Sequence, residues 1–208
     1  MSMAVTLIIT GGEGPNYIPV SLDYDFVIAS DSGYDKAKEL NIVPDLVLGD
    51  MDSTNYLEEI KDSGALFYPR DKDYSDTELA IKHIESDEYI LIGGGGGRID
   101  HLLAIMALFY RYPAPKFWIT ADDIIIRCDK TVKLSLPIGS DISIMPISSP
   151  AKVDSDGLKW ELGGYTISNS SISLSNRSEK EEVVIHTSKP VFIRLPIQLL
   201  SIFEKMLL

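Results

Sequence analysis

Up to about residue 123 the chain repeats one unit: a short apolar run rich in β-formers, a loop of glycine and acidic residues, then a helical pattern. Val5 to Ile9 leads to Thr10-Gly11-Gly12-Glu13-Gly14-Pro15, Phe26 to Ala29 to Asp31-Ser32-Gly33, and Leu46 to Leu48 to Gly49-Asp50-Met51-Asp52. Ala65 to Tyr68 leads to Pro69-Arg70-Asp71-Lys72-Asp73, Tyr89 to Ile92 to five glycines, and Phe117 to Thr120 to Ala121-Asp122-Asp123. Six such alternations predict an α/β unit: a Rossmann-like parallel sheet with helices on both faces. Ligands of an open parallel sheet bind beyond the carboxyl ends of its strands, which is where these loops fall.

After that point the texture changes. Ile124 to Ile126, Val132 to Leu136, Ile142 to Met145, Tyr165 to Ile167, Ile172 to Leu174, Val183 to His186 and Val191 to Arg194 are short strand candidates separated by Pro, Gly, Ser and Asn. They predict a small all-β unit, an antiparallel β-sandwich, over residues 124–208, with residues 1–123 forming the α/β domain. Gln198 to Leu208 is expected to close the chain as a short helix or helical tail. Met1-Ser2-Met3 looks like an expression scar rather than a targeting segment, and Val5 to Ile9 is too short and lacks the basic start of a signal peptide, so a cytoplasmic protein is expected.

Charge and cysteine narrow the chemistry. With 31 acidic against 19 basic residues the net charge is -12, which repels a nucleic-acid backbone, so no nucleic-acid partner is expected. No apolar run is long enough for a helix to span a bilayer, so no membrane partner is expected either. The single cysteine, Cys128, excludes an internal disulfide framework and a cysteine-based zinc site, and reads as a half-buried thiol on a strand. A phosphate compound would need a divalent cation as mediator.

Three carboxylates, Asp31, Asp50 and Asp52, follow two neighbouring strand candidates. Residues two apart on an extended segment point the same way, so Asp50 and Asp52 can present both side chains to one ion; the same pair also suits a simple turn. Asp71-Lys72-Asp73-Tyr74-Ser75-Asp76 adds carboxylates and a cation just before a helix. Ser75-Asp76-Thr77-Glu78 has the spacing of a capping box, which is compatible with a ligand contact at Ser75, and Lys72 can meet a phosphate as a point charge or remain solvated. Gly93-Gly94-Gly95-Gly96-Gly97-Arg98-Ile99-Asp100-His101 suits close backbone approach to a phosphate, yet lacks the Gly-Lys-Ser/Thr ending of a P-loop. Arg98 can grip phosphate oxygens bidentately, Asp100 can ligate a metal, and His101 can contact a nucleotide or cap its helix. That helix, Leu102 to Tyr110, is apolar almost all round, so it is expected to be buried on several sides or covered by a second subunit.

The series Ser30-Asp31-Ser32-Gly33, Gly49-Asp50-Met51-Asp52-Ser53, Asp71 to Ala80 and Gly96-Gly97-Arg98-Ile99-Asp100-His101 resembles the thiamine pyrophosphokinase family in order and spacing. The resemblance continues through Gly157-Leu158-Lys159-Trp160-Glu161-Leu162 and Ser173-Leu174-Ser175-Asn176, nearly the whole chain. It implies transfer of the pyrophosphoryl group of ATP to the thiamine hydroxyl with Mg2+, giving thiamine diphosphate and AMP, in a homodimer whose active sites draw on both subunits. By the same resemblance Asp31, Asp50, Asp52, Asp73, Asp76 and Asp100 form the acidic catalytic set, with Asp50, Asp52, Asp73 and Asp100 as metal ligands. Lys72, Ser75, Gly96, Gly97, Arg98 and His101 would meet ATP. Trp160, Ser173, Ser175 and Asn176 would lie near thiamine, from the partner chain; on the sequence alone Trp160 reads equally as a core residue of the sandwich.

One departure stands out. Where the family usually shows Ala-Asp-Gly-Gly this chain has Ser30-Asp31-Ser32-Gly33, so backbone approach at residue 32 is expected to be less free. Two other readings use the same residues: a metal-dependent nucleotide-sugar transferase, which also employs Asp-x-Asp, and a non-catalytic nucleotide- or thiamine-binding module. The transferase leaves the Gly96 to His101 series and the second unit unexplained. Asp73 or Asp100 is the expected acceptor of the hydroxyl proton.

Overall fold

The computed structural model describes residues 4–19 and 21–203, and these divide into two compact units with the boundary between Asp122 and Asp123. The expression scar read at Met1–Met3 and the far end of the helical tail, residues 204–208, lie outside the described residues. Among the described residues no helix is long and apolar enough to cross a membrane.

The first unit holds six strands: β1 (Val5–Thr10), β2 (Phe26–Ser30), β3 (Leu46–Gly49), β4 (Leu66–Phe67), β5 (Glu88–Ile92) and β6 (Phe117–Ile119). They pair in parallel in the order β6-β5-β1-β2-β3-β4. The central strands are apolar on both faces, and Leu7, Ile8 and Ile9 of β1 have no exposed surface, as expected of strands covered by helices on either side. Helix α1 (Gly33–Glu39) and α2 (Leu57–Lys61) bring Tyr34 and Ile60 into one cluster with Ala29 of β2 and Val47 of β3. Ser30, one residue on from Ala29, points to the opposite face. There its Oγ donates to Thr10 Oγ1 (3.1 Å), which in turn bonds Thr77 Oγ1 (2.6 Å) of α3 (Asp76–Lys82). A fourth helix, α4 (Ile99–Leu108), follows β5.

Two of the six expected alternations lack their helix. Among the described residues of 11–25 the chain passes from β1 to β2 without one, because Gly11, Gly12, Gly14, Pro15 and Pro19 break any helical run. After β6 only Thr120, Ala121 and Asp122 intervene before the next strand. The strand order reverses between β1 and β5, so the loops after these two strands flank the crevice of an open sheet.

The second unit has eight strands: β7 (Asp123–Cys128), β8 (Thr131–Ser135), β9 (Asp141–Pro146), β10 (Ala151–Asp156), β11 (Tyr165–Ile167), β12 (Ser173–Arg177), β13 (Glu182–Thr187) and β14 (Val191–Pro196). They form two antiparallel sets, β12-β9-β14-β7 and β11-β10-β13-β8, with buried Ile124, Ile144, Val153, Ile185 and Ile193 among the core residues. β10 has no counterpart among the expected strands: only Ala151 and Val153 point inward, alternating with exposed Lys152 and Asp154. A 3₁₀ helix, Ile197–Phe203, follows β14 and buries Leu200 and Phe203.

Candidate active site

The carboxylates converge at the ends of β2 and β3. Asp31 leaves β2 in a left-handed conformation (φ 50°), one that Asp tolerates better than most residues, and its N–H donates to Leu48 O of β3 at 2.9 Å. Gly49 follows with φ 139°, and a Cβ there would stand 3.0 Å from Asp76 Oδ1 and 3.3 Å from Asp31 Cβ. The missing side chain lets the groups close in. Oxygens of Asp31, Asp50 and Asp76 all lie within 4.8 Å of one another. Burial raises the carboxyl groups of Asp31 and Asp76 above the ordinary aspartate range, against the pull of nearby hydrogen bonds for Asp31 and of Lys72 for Asp76.

Lys72 is the cation of this cluster. Its Nζ donates to Asp50 Oδ2 at 2.8 Å and stands 3.2 Å from Asp76 Oδ1, with only 11% of its side chain exposed. The second contact is an ion pair by distance, but its geometry is not that of a hydrogen bond, and Asp76 Oδ1 is buried with no hydrogen-bond donor. Burial pulls the Lys72 ammonium down, yet the hydrogen bond from Asp50 and the charge of Asp76 outweigh it and leave the group raised. Three hard oxygen donors around a buried oxygen that lacks a donor fit a divalent cation such as Mg2+.

The other expected carboxylates lie elsewhere. Met51, between Asp50 and Asp52, has φ 59° and is buried with Tyr34 and Ile60, so the two aspartates are not successive residues of one extended face. Asp52 instead pairs with Arg70 Nη2 at 2.7 Å and accepts from Ser53 Oγ at 2.7 Å, and the Ser53 hydroxyl, aided by Arg70, lowers its carboxyl. Asp73 is exposed in the turn before α3. Asp100, also exposed, takes a two-point pair from Arg98 (3.1 and 2.6 Å), which holds its carboxyl below the ordinary range. Of the expected metal set, only Asp50 belongs to the converged three.

A cleft of about 480 Å³ adjoins the cluster. Its lining includes Asp31, Lys72, Ser75 and Asp76 together with Gly94 to Gly97, Arg98 and His101. Ser75 caps α3, its Oγ accepting from Glu78 N at 3.1 Å, and it lines the cleft as well. The glycine loop is tied to the β1 loop by Gly94 N to Gly11 O (2.8 Å) and by a two-way exchange between Gly95 and Glu13 (2.8 and 3.1 Å). Gly97 (φ 59°) has nothing within 4 Å of where its Cβ would be, so conformation alone demands glycine there.

Ser32, the departure from the family pattern, sits in ordinary helical space (φ −65°, ψ −3°) at the start of α1. Its Oγ takes up the space that a Cβ on Gly11 would need. The serine is accommodated because the facing residue is glycine. A residue the sequence reading passed over is Asp35 of α1, which accepts from Asn55 N (2.9 Å) and Asn55 Nδ2 (2.6 Å) and from Thr54 Oγ1, holding the segment just after Asp52. Its only sequence signal is an acidic residue in a first helical turn, which is unremarkable by itself.

In the second unit Gly157 to Leu162 forms a loop closed on its own side chain: Glu161 Oε1 accepts from Gly157 N (2.7 Å) and Leu158 N (3.1 Å). Trp160 projects from it with 54% of its surface exposed and Lys159 Nζ 4.8 Å from its ring centroid, so it is not a core tryptophan. Asn176, only 2% exposed, accepts from Trp160 N (3.2 Å) and Arg177 N (2.8 Å) and donates to Trp160 O (2.7 Å). Its amide is spent on the loop. Ser175 is exposed at φ 53°, with Ser173 half-buried beside it on β12.

A parallel sheet with a glycine loop at its strand-order reversal and carboxylates at the neighbouring strand ends, in one chain with an antiparallel sandwich unit, defines an α/β-plus-β protein whose ligand crevice lies beyond the strand ends. Residues 20–121 match the family model for the catalytic domain of thiamin pyrophosphokinase, and residues 123–192 match that for its vitamin B1 binding domain. The chain belongs to the thiamin pyrophosphokinase family. It is 26% identical over 176 residues to thiamine pyrophosphokinase 1 of Arabidopsis thaliana, covering 74% of this chain and 66% of that protein. It is 31% identical over 168 residues to thiamine pyrophosphokinase 1 of Oryza sativa subsp. japonica, covering 68% and 62% respectively, so the matched part spans less than two thirds of either relative. The crystal structure of thiamine pyrophosphokinase from Bacillus subtilis shares the fold, with a TM-score of 0.71 at 20% identity over 92% of this chain and 98% of that one. Matches across both units leave the nucleotide-sugar transferase reading without support.

Proposed function

We propose that the chain transfers the pyrophosphoryl group of ATP to the hydroxyethyl oxygen of thiamine, releasing AMP and thiamine diphosphate. The observation that carries this reading is the convergence of Asp31, Asp50 and Asp76 beside a cleft lined also by the glycine loop and Arg98. Attack of a hydroxyl on the β-phosphorus needs alignment and charge neutralisation more than covalent help. Asp31, Asp50 and Asp76 would hold Mg2+, which would supply positive charge against that of the phosphates. Lys72, Arg98 and the amides of Gly96 and Gly97 would meet the phosphates, with Ser75 and His101 at the rim. Asp73, flanked by the cleft residues Lys72 and Tyr74, would accept the hydroxyl proton; Asp100, held low by Arg98, is the poorer base. Trp160 would stack on the cationic ring of thiamine, with Ser173 and Ser175 beside it and Asn176 holding the loop that carries it.

The same proposal includes a homodimer in a cytoplasmic setting, with each thiamine contact drawn from the partner chain. Its support is α4, whose Ile99, Leu103, Ala107 and Tyr110 beyond its end leave an exposed stripe, three of the four large and apolar, at helical spacing. Incubation with ATP, Mg2+ and thiamine is expected to yield AMP and thiamine diphosphate in equal amounts, and Asp50→Ala or Asp76→Ala to abolish both. Absence of both products from the unaltered protein overturns the reading. Light scattering is expected to give twice the 23.0 kDa chain mass, and mixing Asp50→Ala with Trp160→Ala chains to restore one intact site per dimer.

A further inference from the structure

We propose that Lys72 is a built-in counter-cation, occupying the place of the divalent ion in the metal-free protein and giving it up when the ion binds. The inference rests on the reading of Asp31, Asp50 and Asp76 as metal ligands. Its warrant is positional. The ammonium sits against two of the three converged carboxylates, 2.8 Å from Asp50 Oδ2 and 3.2 Å from Asp76 Oδ1, on a side chain 11% exposed. A buried ammonium is costly unless it is paired, and three buried or half-buried carboxylates at this spacing repel one another unless a cation lies among them. Each defect offsets the other.

The fit is incomplete, and that incompleteness is what favours exchange. Asp76 Oδ1 lies near the ammonium without a hydrogen bond and has no other donor, so one ligand position remains unsatisfied. With all three carboxylates ionised, three negative charges against one positive leave the cluster two charges negative. A divalent ion in place of the ammonium leaves it one negative and satisfies the orphaned oxygen. The displaced Lys72 already lines the cleft, where it adds its charge to the phosphate side.

Two consequences follow from this exchange. The metal must expel the ammonium, so the ion binds more weakly to the free protein than three carboxylates alone would allow. A phosphate in the cleft gives the expelled ammonium a new partner, so metal and nucleotide bind with positive coupling, and by linkage each strengthens the other. Lys72 thereby makes the cluster selective for a metal that arrives with a nucleotide.

The test is a titration with Mn2+ alone, free ion being read by electron paramagnetic resonance, on the full chain and its Lys72→Met variant without nucleotide. The variant is expected to bind Mn2+ about 10-fold more tightly, within the range usual for coupled sites. A non-hydrolysable ATP analogue should tighten Mn2+ binding to the unaltered protein, and tighten it markedly less in the variant. Equal or weaker Mn2+ binding by a folded Lys72→Met variant overturns the exchange while leaving the metal site standing. If neither protein binds Mn2+, the metal-ligand reading falls and the exchange falls with it. A second measurement needs no variant: reductive methylation of Lys72, followed by peptide mass spectrometry, is expected to accelerate several-fold when Mg2+ is added, with exposed Lys61 as the internal reference. An unchanged rate under saturating Mg2+ also overturns the proposal.

Discussion

Asn176 lies in the motif expected to touch thiamine, yet its amide is buried and spent on three hydrogen bonds, two of them to the backbone of Trp160. Replacing it by alanine removes all three and leaves the Trp160 and Arg177 groups to find water. At about 1 kcal/mol per net hydrogen bond, and up to about 3 where a group stays buried and unmet, the loss comes to about 2–4 kcal/mol. Trp160 is itself exposed, so part of its backbone can rehydrate, which places the expected value near the lower end. Urea unfolding of Asn176→Ala, followed by far-UV circular dichroism, checks the magnitude. Turnover checks the role: the KM for thiamine is expected to rise severalfold because the Trp160 loop loses its anchor, while kcat changes far less, since the carboxylate cluster is untouched. A variant within about 0.5 kcal/mol of its parent would refute the reasoning, because that is the range of ordinary surface changes.

Glu78 of α3 is buried but receives Arg111 at 2.6 and 3.0 Å and the Tyr112 hydroxyl at 2.9 Å. Burial works against its ionisation, yet these donors win and hold its carboxyl below the ordinary range. A folded value below the unfolded one means that its stabilisation is present above the unfolded value, about 4.3, and lost as pH falls through the folded value. Thermal melts between about pH 2 and 6 should therefore fall less steeply on the acid side for Glu78→Gln than for its parent. The Cys128 thiol, pushed up to about 11 by burial on β7, is expected to resist a disulfide reagent at neutral pH until denaturant is added, as read by absorbance. Gly97→Ala is expected to cost about 1–2 kcal/mol by melting, from its left-handed backbone alone. Gly95→Ala should cost more, because its Cβ would meet Thr120 Cβ at 2.8 Å and Glu13 O at 2.9 Å.

Much of this molecule is legible in the order of its residues. The apolar runs ending in glycine and aspartate announce a parallel sheet, and the Ser75 cap forms as its spacing predicts. Where the reading fell short, backbone conformation was the cause. Alternation places Asp50 and Asp52 together only if Met51 is extended, and Met51 is left-handed. Likewise the pairing of β12 with β9 shifts between Ser173 and Asn176, which helps explain why an amide in the motif expected to touch thiamine faces inward while Ser175 is exposed. The convergence of Asp76 on Asp31 depends on the bare Gly49 between them, a three-body arrangement that no local pattern encodes. β10 was hidden for a plainer reason: a strand with two inward apolar residues and charged outward neighbours reads as a loop.

The contact between Gly11 and Ser32 constrains how this chain can change. The two positions share one side chain's worth of space, so a Cβ at residue 11 requires the Ser32 hydroxyl to leave the place it now holds. A stepwise route that moves the bulk from one to the other runs most easily through loss of the hydroxyl at 32 first, since the Ser32 Cβ itself would stand 3.7 Å from a Cβ on residue 11, an ordinary contact. The cost of a substitution at residue 11 therefore depends on what stands at 32, and a double-mutant cycle over the pair reads that dependence as a coupling. Two loops far apart in the sequence are, to this extent, a single heritable unit.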